Sequence, residues 1–577
     1  MKQNNSSNDS RYNVNNTKDI AKNNKEQKKE NNNKNNKTEN RKNKNKMNNN
    51  KNNNKNNNNE NKKDYNKNNE NKSKNYSNDK KYPVYNPVKY KEIELSKIKH
   101  GDFYSGDVKI LRKSQPGPVI FLVTDATSSV DAVIKDSDFE TDEVINIKGK
   151  ASERAGKLQI EIDSIKKSEK DFDKIIEQRA KPIRTDFSIK SDRFEKMKPH
   201  FIRVAQKIRR AVMQNQPIMI RHHNDSDGIN SGLAIEQSIK GLMRRFGISP
   251  NYNLYRSPSK APFYETGDVF KDITMSKRLT EGHGQKKPLV LVLDNGSTPE
   301  DVFGMKTLYT LGYDIIVIDH HNPVQIKNGK STVCPYLIDH INPYLYELDS
   351  QTSAGMLCYE IGRMIDEEFE NKLMPAIAAI SDRCNIDETE EYIKKTGKTR
   401  EELGRIGVAI DFIAYNMRFD PGKGLFEEVY VQPEFVNMIN EKVLEGEETQ
   451  LQSTLPYLKT QKINGITYSN IDLEKYTLRF TYPTPGKVIG KIHDRVETQH
   501  KGPVLSIGYL SDMLIIRANQ PVLPVQKIID RLQKDLPQAN VDGGGHEQAG
   551  AIKFVSAHLQ AVLQRIKVYL REVKLEE

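Results

Sequence analysis

Beyond about residue 84 the chain breaks into short apolar runs separated by turn residues. Runs at 106–111, 119–123, 130–134, 144–149 and 158–162 predict five short strands of a small closed β-barrel. Residues 165–208 are charged and helical in texture. From residue 217 the apolar runs become continuous: 217–220, 288–293 and 314–318 read as buried strands, and 298–311 fits a crossover helix between the last two. Continuous strands alternating with helices imply a parallel sheet covered on both faces, closed by a helix over 373–380. A charged helical connector follows over 391–462. Residues 463–577 return to mixed texture, with strands at 504–509, 513–516 and 551–555 and helices at 525–536 and 557–570. The expected class is α/β: a parallel-sheet domain over 195–390 and a smaller α/β domain over 463–577, preceded by the barrel over 85–168.

Composition changes this picture at one end. The first 80 residues contain 33 Asn interleaved with Lys and almost nothing to bury, so the tail over 1–84 is expected to be disordered. It reads either as a loose polycationic hold on nucleic acid or as a solvated low-complexity segment. Of the formal net charge of +13, these residues supply +12, with 21 basic against 9 acidic side chains; the other 497 residues balance 70 against 69. A pI near 9.1 therefore describes the tail rather than a basic surface on the folded part. Nothing approaches the roughly 18 apolar residues of a membrane span, and no apolar secretory stretch opens the chain, so a cytoplasmic protein without membrane partners is expected. Cys334, Cys358 and Cys384 form no CxxC pair, which argues against a disulfide framework or zinc ribbon.

Candidate chemistry gathers where the parallel strands end, the place open sheets put their ligands. The first cluster runs Arg221-His222-His223-Asn224-Asp225-Ser226-Asp227-Gly228, the second is Asp294-Asn295-Gly296, the third Asp319-His320-His321-Asn322, and the fourth Ser381-Asp382. A lone Asp at a strand end is commonly a cap or turn residue. Carboxylates at alternating positions, repeated at several ends of one sheet with vicinal histidines, repel one another unless a cation compensates them. If the strands are neighbours, the clusters meet in one crevice.

These clusters resemble the four motifs of the DHH phosphoesterase superfamily, named for the triplet present here as Asp319-His320-His321. A fifth signature, Val541-Asp542-Gly543-Gly544-Gly545-His546, is similar to the glycine-rich motif of the DHH-associated domain. The barrel resembles an OB-fold, a type that binds single strands through basic grooves and stacking aromatics; Phe103, Tyr104 and Phe121 are candidates to stack, although Phe121 is expected in the core, and the barrel reads alternatively as a packing module. Together these features look most like archaeal-type RecJ single-strand exonucleases, although bacterial RecJ carries its barrel after the core rather than before it.

The resemblance implies a hydrolase that degrades single-stranded DNA or RNA, with DNA and 5′ to 3′ polarity favoured, using two divalent ions. Two such ions neutralise the phosphodiester and assist the attacking water. Mn²⁺ suits mixed carboxylate and imidazole ligands, with Mg²⁺, Co²⁺ or Zn²⁺ as alternatives. By analogy His223, Asp225 and Asp294 hold one ion, and Asp227, Asp294, His320 and Asp382 the other. His321 contacts substrate, and Asp319 orients a ligand histidine. Some family branches place the first-motif histidine where Arg221 stands, so His222 remains the fallback for His223; the spare residue would pack against the barrel. Arg517, Gly543, Gly544, Gly545 and His546 are expected to grip the nucleic-acid backbone, a simple turn being the alternative for the glycines. His340 reads as a structural neighbour, and Ser353-Ala354-Gly355 as the opening of a helix beside the site. Alternatives are a phosphodiesterase for short oligonucleotides or cyclic dinucleotides and a non-catalytic replication scaffold, the latter disfavoured because the motif acids are present. Replication and repair proteins are the expected protein partners.

Overall fold

The computed structural model describes residues 88–574 except 116, 260, 262 and 479; the Asn/Lys tail lies outside them. Strands β1 (Phe103–Ser114), β2 (Val119–Thr124), β3 (Ser129–Ile134), β4 (Val144–Arg154) and β5 (Lys157–Lys167) close into a barrel of order β1-β2-β3-β5-β4. Period-two alternation explains it, since the inward residues Val108, Ile110, Phe121, Val123, Ala132, Ile145, Ile147 and Ile160 are all buried. Phe121 lies in this core at 0% exposure, as expected, and Tyr104 joins it at 1%, which removes Tyr104 from the stacking candidates. Phe103 is half-buried.

Helices α1 (Phe172–Arg179) and α2 (Asp192–Met213) lead into the first α/β lobe. Its elements are β6 (Ile218–His222), α3 (Ser226–Arg245), β7 (Leu254–Pro258), α4 (Thr266–His283), β8 (Leu289–Leu293), α5 (Val302–Thr310) and β9 (Asp314–Ile318), then a small hairpin β10 (Ile326–Lys327) and β11 (Lys330–Ser331), and β12 (Asp339–Ile341). The five-stranded sheet has order β12-β9-β8-β6-β7 and every pairing in it is parallel. All five residues of β6 and of β8 are buried, as expected of strands covered on both faces. The barrel is fastened to this lobe by Ser129, whose amide and hydroxyl donate to Phe246 O at 3.0 and 2.5 Å.

Helix α6 (Ala354–Ile365) packs against α2, α3 and β9, and α7 (Leu373–Ser381) packs against α3 and α6; α8 (Asp387–Thr396), α9 (Arg400–Met417), α10 (Leu425–Val431) and α11 (Pro433–Thr454) follow. The stretch read from sequence as a connector is helical, but it is no spacer: Tyr392, Leu403, Ile410, Phe426, Val436 and Val443 join the same buried cluster as Ile220, Leu291 and Ile316. Its helical texture is legible in the sequence; the surface it covers is not.

The second lobe comprises β13 (Lys459–Ile463), β14 (Ile466–Asp472), α12 (Leu473–Tyr476), α13 (Pro485–Gln499), β15 (Val504–Tyr509), β16 (Met513–Ala518), α14 (Val525–Asp535), β17 (Asp542–His546), β18 (Ala549–Lys553) and α15 (Leu559–Glu572). Its sheet has order β13-β14-β15-β16-β18-β17. Val488, Ile489 and Ile492 of α13 pack with Ile471, Val504 and Ile515, whereas α14 and α15 cover Tyr468, Leu505, Ile507, Leu514 and Ile516. The glycine motif is an edge strand rather than a simple turn. Gly543 and Gly545 have φ of +156° and +138°, and a Cβ on either would run into the β18 backbone, so glycine is required for the hairpin to close. Gly544 faces open space.

Candidate metal centre

The centre is assembled from chain segments leaving β6, β8, β9 and α7. After β6, Asp225 caps α3, accepting from Gly228 N at 3.0 Å. This cap places Asp227 in the first helical turn, where its two oxygens accept from Ala354 N at 3.0 Å and Gly355 N at 2.7 Å. Ser353 caps α6, so Ser353-Ala354-Gly355 does open a helix here, with its N-terminal amides turned on Asp227. After β8, Asp294 takes a left-handed φ of +55° while its amide continues the sheet ladder to Ile318 O at 2.9 Å. After β9, Asp319 accepts from His320 N, His321 Nδ1 and Ser297 N at 2.8, 2.7 and 3.1 Å. Asp382 ends α7.

These segments bring six of the expected ligands together. His223 Nδ1 lies 3.0 Å from Asp225 Oδ2 and 3.5 Å from Asp294 Oδ2. His320 Nδ1 is engaged by Ser350 O at 2.8 Å, which turns Nε2 toward Asp294 at 3.3 Å and toward Asp227 and Asp382 at 3.6 Å each. His223, Asp225 and Asp294 form one potential ion-binding group; Asp227, His320 and Asp382 form another; Asp294, His320 and His321 form a third. Asp294 is shared by the first and third. His321, expected only to touch substrate, stands within this cluster, with Nδ1 3.9 Å from Asp294 Oδ1.

The adjacent histidines diverge. His222 is fully buried, with Nδ1 2.7 Å from His223 O and Nε2 3.0 Å from Arg256 Nη1. Burial and the Arg256 charge hold it well below the usual imidazole range. It packs under β7 rather than against the barrel, which corrects the expected place of the spare histidine. Arg221 faces away too, pairing with Asp272 and, at 3.8 Å, Asp268.

Electrostatics show how crowded the centre is. Burial and the neighbouring Asp294 push the Asp227 carboxyl well above the carboxylate range. Asp382 is pushed up to about 6 by burial and by Asp294 and Asp225, against the pull of His320. Burial opposes ionisation of Asp225 as well, yet His223 holds it below the usual range. Asp225 and Asp294 in turn raise His223 well above an ordinary imidazole despite its burial. Both oxygens of Asp294 are buried without a hydrogen bond of normal geometry, a costly state for a carboxylate. Crowded acids, orphaned acceptor oxygens and imidazole nitrogens are the donor set of a divalent first-row ion, and the residues fit one.

Other expected residues lie elsewhere. Arg517 and Gly543–Gly545 belong to the second lobe and share no hydrogen bond or ion pair with the acidic cluster among the described residues. The hairpin of β17 and β18 does face the first lobe, with Lys553 Nζ 5.9 Å from the Phe263 ring centroid. The His546 side chain lies outside the described positions. His340 bonds Ser297 Oγ at 2.9 Å, a structural place behind Asp319. Reading the sequence missed Asp411, which accepts from Ser226 N at 2.9 Å and pairs with Lys487. Its position inside an amphipathic helix carried no signal.

No family profile matches the chain. An uncharacterized protein of Methanocaldococcus jannaschii is 33% identical over 557 residues, covering 85% of this chain and 73% of the relative. A solved DHH domain, described as a member of the S1p family of ribosomal proteins, is 36% identical, superposes with a TM-score of 0.68, and is covered over 98% of its length by 70% of this chain. The chain belongs to the DHH superfamily. The DHH fold thus accounts for the parallel sheet and for the meeting of the four motifs at its edge. RecJ from Thermus thermophilus in complex with Mn²⁺ is 16% identical with a TM-score of 0.45, over 65% of this chain and 55% of RecJ. No helix among the described residues is long and apolar enough to cross a membrane.

Proposed function

We propose that this DHH protein is a two-metal phosphodiesterase acting as a RecJ-like exonuclease on single-stranded nucleic acid, 5′ to 3′ and with DNA favoured. The observation carrying this reading is the meeting of His223, Asp225, Asp227, His320 and Asp382 around Asp294, whose two buried oxygens accept no hydrogen bond. His223, Asp225 and Asp294 would hold one divalent ion; Asp227, Asp294, His320 and Asp382 the other, with Mn²⁺ preferred. Bound there, such ions supply Lewis acidity and charge compensation for phosphodiester hydrolysis.

The chain's own groups prepare that chemistry. The α6 amides fix Asp227, and Ser350 O fixes the His320 ring, so both present a set geometry without reorganising. Asp319 orients His321 through Nδ1 and, outweighing the effect of burial, raises its proton affinity; a protonated His321 is suited to a phosphate oxygen. The barrel and the β17–β18 hairpin would add surface for a strand longer than a dinucleotide, and Arg517, Gly543, Gly544, Gly545 and His546 would meet its backbone.

The deciding experiment offers Mn²⁺ and single strands blocked at either end, DNA beside RNA, and reads product length. Processive loss of nucleotides from an open 5′ end supports the reading. Cleavage confined to dinucleotides would favour the short-oligonucleotide alternative, and Mn²⁺-independent or absent hydrolysis overturns it.

A further inference from the structure

The sheet of the second lobe turns one face toward the first lobe and the other away from it. Helix α13, on the near face, meets the first lobe across a seam of ion pairs: Lys487 with Asp411, Lys491 with Glu447 at 3.0 Å, and Asp494 with Arg383 at 3.6 Å. On the far face, where α15 passes β13 and β14, lies a cavity of about 340 Å³. It stands at the sheet edge opposite the glycine strand, since β13 and β17 are the two ends of the strand order. A helix laid on a sheet normally turns apolar side chains onto it, and Val562, Ile566, Tyr569 and Leu570 do so. Beside that stripe, Gln560, Leu563, Gln564 and Lys567, spaced i, i+3, i+4 and i+7, line the cavity instead. Facing them, Lys459 pairs with Asn470 and Gln461 with Tyr468 across β13 and β14, so these four share one sheet face, and Tyr509 of β15 completes the lining.

The groups in this cavity are left unsatisfied by the protein. The Tyr468 hydroxyl is buried and makes no hydrogen bond of normal geometry, a costly state for a polar group that no ligand meets. Burial raises its pKa above the ordinary phenol value, so it remains a donor. Lys459 and Lys567 form no ion pair among the described residues, and Lys567 Nζ lies 5.7 Å from the Tyr468 ring centroid. None of the described lining residues is acidic. Asp472, which shares the sheet face of Tyr509, is taken up in capping α12, accepting from Lys475 N at 3.0 Å. Cations without counter-charges thus stand beside amides and aromatic rings.

We propose that this cavity is a second ligand site and that it takes one nucleoside monophosphate. Lys459 and Lys567 receive the phosphate as point charges. Gln461, Gln560 and Gln564 carry primary amides, which both donate and accept and so match the edge of a nucleobase. Tyr468 donates its free hydroxyl to the ligand, and Tyr509 offers a ring for stacking. The volume lies at the lower end of small-molecule sites, enough for one nucleotide and not for a strand. The assignment stands on these groups and goes beyond the phosphodiesterase reading, because the cavity shares no residue with the metal centre and lies on the opposite sheet face from the seam.

The test titrates AMP into the full chain by calorimetry in EDTA, where the metal-free acids of the centre repel phosphate, with adenosine and inorganic phosphate as separate arms. One AMP per chain is expected, and each half alone should bind at least about 10-fold more weakly, since it engages only part of the cavity. Lys567→Gln should weaken AMP about 10-fold by removing a charge-assisted contact, and Tyr468→Phe about 3- to 10-fold. Deleting an unpartnered hydroxyl should leave the melting temperature unchanged or raised, so weaker AMP binding by a Tyr468→Phe protein that melts no lower reports a lost ligand contact. Lys459→Gln, at an exposed position, should match Lys567→Gln and serves if the core variant does not fold. His321→Ala, in the metal centre, should leave AMP affinity unchanged. AMP binding that the lysine variants leave intact, or that His321→Ala abolishes, overturns the site, as does phosphate binding as tightly as AMP. Oligonucleotide hydrolysis in Mn²⁺ should be equal in Lys567→Gln and wild type; its absence from both sinks the phosphodiesterase reading and leaves this site standing.

Discussion

At the strand ends of the DHH sheet, Asp227, Asp294 and His320 are 1–2% exposed; across the seam, the side chains of Lys487, Lys491 and Arg383 are 42%, 48% and 70% exposed. The first region crowds like charges where water cannot screen them, and it is held in that state by main-chain bonds from α6, the β9 turn and the loop around Ser350. The second pairs opposite charges where water can compete. A buried cluster of this kind is rigid and costly to leave uncompensated, whereas a screened seam of ion pairs is weak and exchanges readily with water. The two regions thereby hold their charges in different physical regimes.

The largest effects should come from the buried side. Asp294→Ala removes the carboxylate shared between the ion-binding groups. Because losing even an outer partner of a metal ligand costs about 10- to 100-fold, hydrolysis should fall by more than about 100-fold while anisotropy still detects strand binding; retained cleavage would break the comparison. The neighbouring histidines sharpen it. His223→Ala should lose activity and the melting shift given by Mn²⁺. His222→Gln should keep that shift and lose about 1–3 kcal/mol in urea unfolding, because a hydrogen-bond partner of Arg256 is altered inside the core.

A third prediction concerns pH. Burial lowers the pKa of His340 from 6.5 to about 4, so the folded chain holds it neutral while the unfolded chain protonates it. Its contribution is complete above pH 6.5 and is lost as pH falls toward 4, amounting to about 3 kcal/mol across that window. His340→Gln should flatten the stability profile between those values, measured by urea titration at each pH. The smallest effect belongs to the seam: Lys491→Ala should cost less than about 1 kcal/mol, a difference that 1 M salt erases.

Much of the catalytic sheet was legible because buried parallel strands read as unbroken apolar runs. Strands β6, β8 and β9 stood out for that reason, and the acids following them marked the ligand edge. Strand β7, Leu-Tyr-Arg-Ser-Pro, and β12, Asp-His-Ile, did not, since short polar sequences become strands only when a neighbour supplies the ladder. The triple glycine was visible as a motif but not as an edge strand, because its reason is the approach of the β18 backbone.

Residue order along the chain was enough to determine the class of sheet, the positions where its strands stop and the kind of side chains waiting there, because periodicity and strand-end chemistry are local properties. Which of His222 and His223 turns toward Asp294, which core the helices after residue 391 complete, and which carboxylate Arg383 meets were decided by tertiary structure. Each depends on a partner far away in the chain, and neither composition nor spacing encodes that distance.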